Sequence, residues 1–206
     1  MINTTIKNIP LQFHTDSTVF SPAGIDRGTL AMLSQVDFTP GDRVLDLGCG
    51  YGAVGLTAAK IIGEDKVILC DISEDAVALA RQNALLNGLS HADIRQSDAY
   101  ENIPEQDFTL ILSNPPYHTD FSVARRFIET GFYKLAPGGK MVMVTKRLDW
   151  YKNKLTAVFG GVRIRETDGY YVFLSEKRQD APHSKKKSKP NPGLSKKLQR
   201  KYKGTR

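Results

Sequence analysis

Val44-Leu45-Asp46-Leu47-Gly48-Cys49-Gly50-Tyr51-Gly52 is the stretch that decides the fold. Its front half, together with the preceding Arg43 (Arg43–Asp46), is a short apolar run stopped by glycines, which suits a buried strand. The alanine-rich segment Val54–Ile62 ends before Gly63 and predicts a helix directly after the glycines. Glycines at such a junction let the backbone turn tightly and let a ligand approach without meeting a Cβ atom. The spacing is G-x-G-x-G behind an acid, whereas dinucleotide enzymes want G-x-G-x-x-G. Asp46 would repel a pyrophosphate but suits an ammonium group, or water held by one. A plain turn without a ligand is the competing reading. Three glycines and an acid on a buried strand are costly for that purpose.

The same alternation continues outward from this motif. Val67–Cys70 is a second buried strand, and Ser73 can cap a helix that carries Val77, Ala80, Ala84 and Leu85 on one face and stops at Gly88. Asp93–Gln96 is a weaker strand candidate, and Phe108–Leu112 is a strand broken by Asn114-Pro115-Pro116. A helix over Ser122–Leu135 follows, then a turn at Pro137-Gly138-Gly139 into the strand Lys140–Thr145. A helix near Trp150–Phe159 and two strands, Val162–Glu166 and Tyr170–Ser175, close the body. Strands and helices in this order imply βαβ units, an α/β class and a Rossmann-like, doubly wound, mostly parallel sheet. The short link at Asp168-Gly169 makes the last two strands an antiparallel edge hairpin.

Doubly wound sheets bind ligands outside the carboxyl ends of their strands, so three loops should carry the chemistry. Gly48, Gly50 and Gly52 form the first, with Asp46 at its base. Asp71 opens the second, about twenty residues past Gly50, where an acid can accept both hydroxyls of a ribose. Its alternative role is a helix N-terminal charge ahead of Ser73. Asp98, beside Ala99, could accept from an adenine amine, or be an ordinary loop acid. Ser113-Asn114-Pro115-Pro116-Tyr117 is the third and most informative. Two prolines fix the backbone and leave carbonyls without competing donors. Asn114 adds an acceptor and Tyr117 a flat ring on which a base can stack. Together Asn114, Pro115, Pro116 and Tyr117 can grip a planar amine and the ring that bears it. His118 reads as a solvated loop residue rather than a catalytic one.

Composition bounds the partners. The chain has 206 residues, a formal charge of +7 and two cysteines. No window resembles a membrane-spanning helix or a secretory leader, and Cys49 and Cys70 fit a reducing cytoplasm with no disulfide framework and no metal site. The charge is not evenly spread. Lys177–Arg206 holds twelve basic residues and one acid, so residues 1–176 are mildly acidic. We therefore divide the chain into a folded domain, 1–176, and a basic tail, 177–206, that cannot bury enough apolar surface to order alone. The tail is either a solubilising segment or a phosphate-binding arm for RNA. Leu194, Leu198 and Tyr202 would give it one apolar stripe if it became helical.

These residues resemble class I S-adenosylmethionine-dependent methyltransferases. Val44–Gly52 is similar to their first motif, Asp71 to the acid of their second strand, and Asn114–Tyr117 to their amino-methyltransferase signature. Upstream, Val19-Phe20-Ser21-Pro22-Ala23-Gly24-Ile25-Asp26-Arg27-Gly28-Thr29 resembles a segment of the ribosomal RNA small subunit methyltransferase C family, and Leu69–Ser73 and Asn114–His118 continue the match. The resemblance implies a seven-stranded sheet and S-adenosyl-L-methionine as cofactor. It also implies rRNA processing by methylation of guanine-N2 in small-subunit (16S) rRNA. It adds Asp26, Gly28, Ile72 and Ala99 to the cofactor-binding residues Asp46, Gly48, Gly50, Gly52, Asp71, Asp98 and Asn114, with Asp26 and Gly28 over the methionine end. Larger members carry an additional N-terminal methyltransferase-like domain, and many have Phe where Tyr117 stands. An adenine-N6 enzyme of tRNA or DNA, a protein glutamine methyltransferase and a non-catalytic RNA-binding assembly factor remain alternatives.

Overall fold

The computed structural model describes residues 1–15, 24–115 and 121–178. A two-stranded hairpin, β1 (Ile2–Ile6) and β2 (Ile9–Phe13), comes first, followed by helix α1 (Arg27–Ser34). Strand β3 (Val44–Leu47), helix α2 (Ala53–Ile62), strand β4 (Val67–Asp71), helix α3 (Glu74–Leu86) and strand β5 (Asp93–Gln96) form the first βαβαβ run. Strand β6 (Phe108–Ser113), helix α4 (Phe121–Lys134), strand β7 (Leu135–Thr145) and helix α5 (Leu148–Phe159) form the second. Strands β8 (Arg163–Thr167) and β9 (Tyr170–Glu176) end the body.

The sheet has seven strands in the order β5-β4-β3-β6-β7-β9-β8, as the resemblance implies. All neighbours are parallel from β5 through β7, and β9 is antiparallel to both β7 and β8. The chain starts at β3, moves outward to β5, then returns beside β3 as β6. That reversal places the crevice at the carboxyl ends of β3 and β6.

Period-two alternation explains how strands that look uniformly apolar serve two layers. Val44, Val67, Leu69, Leu110, Leu112, Val142 and Val144 face one core with α1, α2, α3 and the hairpin. Leu45, Leu47, Ile68, Cys70, Phe108, Ile111, Met141 and Met143 face the other, with α4 and α5. Asp46 alternates onto the first face, beneath α2. No helix among the described residues is long and apolar enough to cross a membrane.

Three details differ from the sequence reading. Hairpin β1–β2 and helix α1 were not anticipated. The hairpin turns through Lys7 (φ 51°) and Asn8 (φ 66°), both left-handed, without the glycine that usually marks such a turn. The Pro137-Gly138-Gly139 turn lies inside β7 rather than before it. The register against β6 shifts between the pairs Phe108–Leu135 and Leu110–Lys140, and Gly138 (φ 78°) turns the chain there. A Cβ on Gly139 would lie 2.7 Å from the Phe108 carbonyl oxygen, so only glycine fits. Finally, Lys177 belongs to the body, not the tail. Its backbone N–H donates to Gly139 O at 2.8 Å, its carbonyl accepts from Gly138 N at 2.7 Å, and its Nζ donates to Leu135 O at 2.6 Å. The body therefore closes one residue later, because this backbone pairing stitches the β7 irregularity shut.

The hairpin attaches through two asparagines, Asn83 in α3 and Asn87 at its C-cap. Asn87 accepts from Gln12 N (3.0 Å) and donates to Gln12 O (2.7 Å). Asn83, one turn earlier, accepts from His14 N (2.7 Å) and donates to His14 O (3.0 Å). Fully buried Asn83 also donates to Tyr51 O at 2.9 Å, tying the glycine loop to the N-terminal segment.

Helix α2 lies so close to β4 that a Cβ on Gly55 would sit 2.3 Å from Leu69 Cγ. Ala is the better helix former by about 1 kcal/mol. Gly55→Ala nevertheless destabilises the protein, by about 1–3 kcal/mol in urea titration, because overpacking against fully buried Leu69 outweighs propensity.

Candidate active site

A cavity of about 450 Å³ opens at the carboxyl ends of the central strands. Its walls are the loop after β3, the turns after β4 and β5, and Asn114 after β6, so the three loops expected to carry chemistry share one space.

The glycine loop owes its shape to left-handed backbone at Gly48 (φ 75°), Gly50 (φ 54°) and Gly52 (φ 96°), where side chains would be strained. Gly48 N and Cys49 N both donate to Cys70 O at 2.9 Å. Gly50 N donates to Asp71 Oδ2 at 2.9 Å, and Ser73 N to Asp71 Oδ1 at 3.0 Å. Asp71 thus bridges the glycine loop and the start of α3, and Ser73 caps that helix as expected. Each Asp71 oxygen accepts one backbone hydrogen bond and retains capacity for a second. The Ser73 bond gives Asp71 its helix-end role, and the remaining lone pairs leave room for a hydroxyl. Ile72 lines the cavity and is 63% exposed, an apolar wall available to a flat ring. Gly52 begins α2 and stands behind the lining rather than in it.

Asp46 is 2% exposed and accepts from Gly55 N at 2.8 Å. Burial pushes its carboxyl up to about 7, opposed by the Gly55 hydrogen bond and reinforced by the charge of Asp71. Burial likewise raises the Cys70 thiol to about 12 and drives the Cys49 thiol well upward, so neither is a ready nucleophile.

At the opposite wall, Asn114 Nδ2 donates to Asp26 Oδ2 (2.9 Å) and Thr29 Oγ1 (3.0 Å). With its amide protons engaged, the side chain's other polar atom is an acceptor, the polarity an amine requires. Asp26 is the hub. It caps α1 by accepting from Thr29 N at 2.9 Å, and its Oδ1 accepts from Tyr170 Oη at 3.2 Å. Asp26 and Thr29 line the cavity, but Gly28 does not. A Cβ on Gly28 would lie 2.7 Å from the Tyr170 ring, so packing against β9 demands this glycine.

Asp98 lines the cavity but is ion-paired with Arg126 of α4, which occupies part of its accepting capacity. Ala99 follows at φ 54°, an unusual left-handed alanine on the same wall. Pro115 is buried beneath Asn114. Pro116, Tyr117 and His118 lie outside the described residues, as does the tail from 179 onward. Sequence reasoning missed Thr29 and Phe127 of the cavity wall, and Tyr170 and Arg126, which hold the wall residues Asp26 and Asp98. Thr29 stood within the Val19–Thr29 match and offered a signal. The others come from α4 and β9, which no local motif marks.

The Asp46 carboxyl makes stability depend on pH. Its folded value lies above the unfolded one, so the native state binds the extra proton between about 4 and 7. Its neutral form supports the fold fully below that window, and the support is lost as pH rises through it. Asp46→Asn keeps an acceptor for Gly55 N. Chemical denaturation at pH 5 and pH 8 should show the wild type losing stability relative to Asp46→Asn at the higher pH.

Comparison with known proteins matches residues 10–174 to the methyltransferase small domain. Ribosomal RNA small subunit methyltransferase C of Pseudomonas putida is 32% identical over 169 residues, 80% of this chain and 50% of that protein. A Bacillus subtilis protein, YbxB, is 30% identical over 84% of this chain and 89% of its own length. Among solved structures, the T. thermophilus 16S rRNA N2 G1207 methyltransferase in complex with AdoMet and guanosine superposes with a TM-score of 0.78 at 30% identity, covering 86% of this chain and 50% of that one. The chain thus spans about half the length of the curated rRNA methyltransferases it matches, but nearly all of YbxB. With the family's domain covering its body and the class I sheet in place, this chain belongs to the methyltransferase small domain family.

Proposed function

We propose that the protein is a cytoplasmic, S-adenosylmethionine-dependent N-methyltransferase of the exocyclic amine of an RNA base, with guanine-N2 of small-subunit rRNA as its target. The observation that carries this reading is the fixed amide of Asn114 at the rim of a cavity walled by the glycine loop and Asp71. Similarity to an enzyme whose structure holds AdoMet and guanosine supports it.

The residues fit this cofactor. Asp71 retains one acceptor site on each oxygen for the ribose hydroxyls. Ile72 offers an apolar wall for the adenine, with Asp98 and Ala99 at its edge. Gly48 and Gly50 give close backbone approach, while Gly52 shapes the start of α2. Asp46 lies at the cavity floor, where a nearby ammonium would favour its charged form. S-adenosylmethionine, when bound, supplies an electrophilic methyl group on a sulfonium.

The chain's own part is orientation and desolvation. The Asn114 carbonyl oxygen and the Pro115 carbonyl accept from the target amine and aim its lone pair inward. Pro116 stiffens the loop, and Tyr117 stacks on the base. The base reaches them unpaired or flipped from its helix. The amine is weakly basic until it attacks and gives up a proton readily once cationic, so no strong base is required. The folded domain 1–177 does this chemistry, and the basic tail holds RNA phosphates. No metal takes part.

The test is transfer from labelled S-adenosylmethionine to small-subunit rRNA, with nucleosides identified by mass spectrometry. N2-methylguanosine is the expected product. Methyladenosine or methylglutamine would replace this reading with one of its rivals. Asn114→Ala should keep cofactor affinity yet lose about 10²-fold or more in turnover; retained turnover would refute the amine grip. Removing residues 179–206 should weaken RNA binding and flatten its salt dependence, and an unchanged slope would show that the tail is no phosphate arm.

A further inference from the structure

Two exposed cations stand close to the Asp26 hub that holds Asn114. Arg27 is exposed at the first turn of α1, between Asp26, which holds Asn114, and Gly28, which packs on Tyr170. Lys146 is exposed at the carboxyl end of β7, immediately after Thr145, and its Nζ sits 4.8 Å from the centre of the Tyr170 ring. Tyr170 therefore joins the two. One face of its ring carries Lys146, its edge meets Gly28, and its hydroxyl donates to Asp26. Neither Arg27 nor Lys146 forms an ion pair among the described residues. For Lys146 the ring places the cation without neutralising it, so its position is fixed while its charge stays available. Arg147 follows, 5.0 Å from the centre of the Phe121 ring at the start of α4.

The setting makes this arrangement informative. The cavity wall is acidic, with Asp26, Asp46, Asp71 and Asp98, and residues 1–176 carry a net negative charge. A polyanion would be repelled from such a mouth unless fixed cations met its phosphates at the rim. We propose that Arg27 and Lys146 form a phosphate-binding rim that holds the RNA backbone next to the target nucleotide. The inference rests on the RNA reading above and adds what that reading lacks, a contact on the folded body near the reacting amine. The tail can raise overall affinity from a distance. The rim sets which nucleotide stands before Asn114, because phosphate contacts fix register without reading sequence.

The experiment uses the full chain with Arg27→Gln, Lys146→Gln and the double variant, which keep the side-chain stems and remove only charge. RNA binding is measured across a salt series, and methyl transfer is measured on RNA and on free guanosine. The double variant should lower the slope of log K against log salt by about 1.4–1.8, corresponding to two lost phosphate contacts. Its KM for RNA should rise about fivefold to twentyfold. S-adenosylmethionine affinity and kcat on guanosine should stay at wild-type values. An unchanged RNA slope and KM in the double variant, with a wild type that methylates RNA, overturns the rim and leaves the functional reading intact. Equal loss on free guanosine also overturns it, since a phosphate contact cannot act on a substrate without phosphates. A wild type that binds RNA but transfers nothing to it overturns the functional reading, and the salt slopes then judge the rim separately.

Discussion

The carboxylate of Asp71 carries more of the site than any other group. One oxygen holds Gly50 N and the other holds Ser73 N, so a single side chain locks the glycine loop against the start of α3. The paired donation of Gly48 N and Cys49 N to Cys70 O brings the same loop onto the end of β4. Everything that lines the cavity on this side takes its position from these bonds. Because each Asp71 oxygen can accept twice, the group can organise the loop and still meet a ligand.

The opposite wall is organised by Asp26 in a comparable way. Its two oxygens gather Thr29 and Asn114 on one side and Tyr170 on the other, three residues drawn from α1, the end of β6 and β9. The antiparallel edge of the sheet is thereby linked to the chemistry. Tyr170 stands where β9 begins, and its hydroxyl supports the acid that orients the amide of Asn114. Asp26 serves here as a positioning group for Asn114.

The parallel strands and their helices were legible because buried strands between glycines are a local pattern. The stretch Val44–Gly52 contains its own strand, turn and helix start. Asp71 and Asn114 were legible for a related reason: each ends a buried strand, where chemistry belongs in this architecture. Hairpin β1–β2 was not, because its turn uses Lys7 and Asn8 in place of glycine and its strands are short. Gly28 and Asp98 show a different limit. Their neighbours, Tyr170 and Arg126, are distant in sequence, so only the folded chain reveals that one glycine serves packing and that one acid is already paired. Lys177 shows the same limit at the end of the body, where composition assigned it to the tail and its backbone pairs with Gly138 and Gly139 of β7.

The amide clamps on β2 bear on how the molecule behaves in a crowded solution. Gln12 and His14 are the alternate residues whose N–H and C=O groups point away from β1, the groups an exposed edge strand offers to any passing chain. Asn87 and Asn83 occupy both pairs from the side, each amide imitating one peptide unit of a neighbouring strand. The hairpin edge is thus sealed by a helix acting as a strand mimic. Self-association by strand addition is blocked at that edge by Pro10, which has no N–H to offer, and by two asparagines, one in α3 and one at its C-cap.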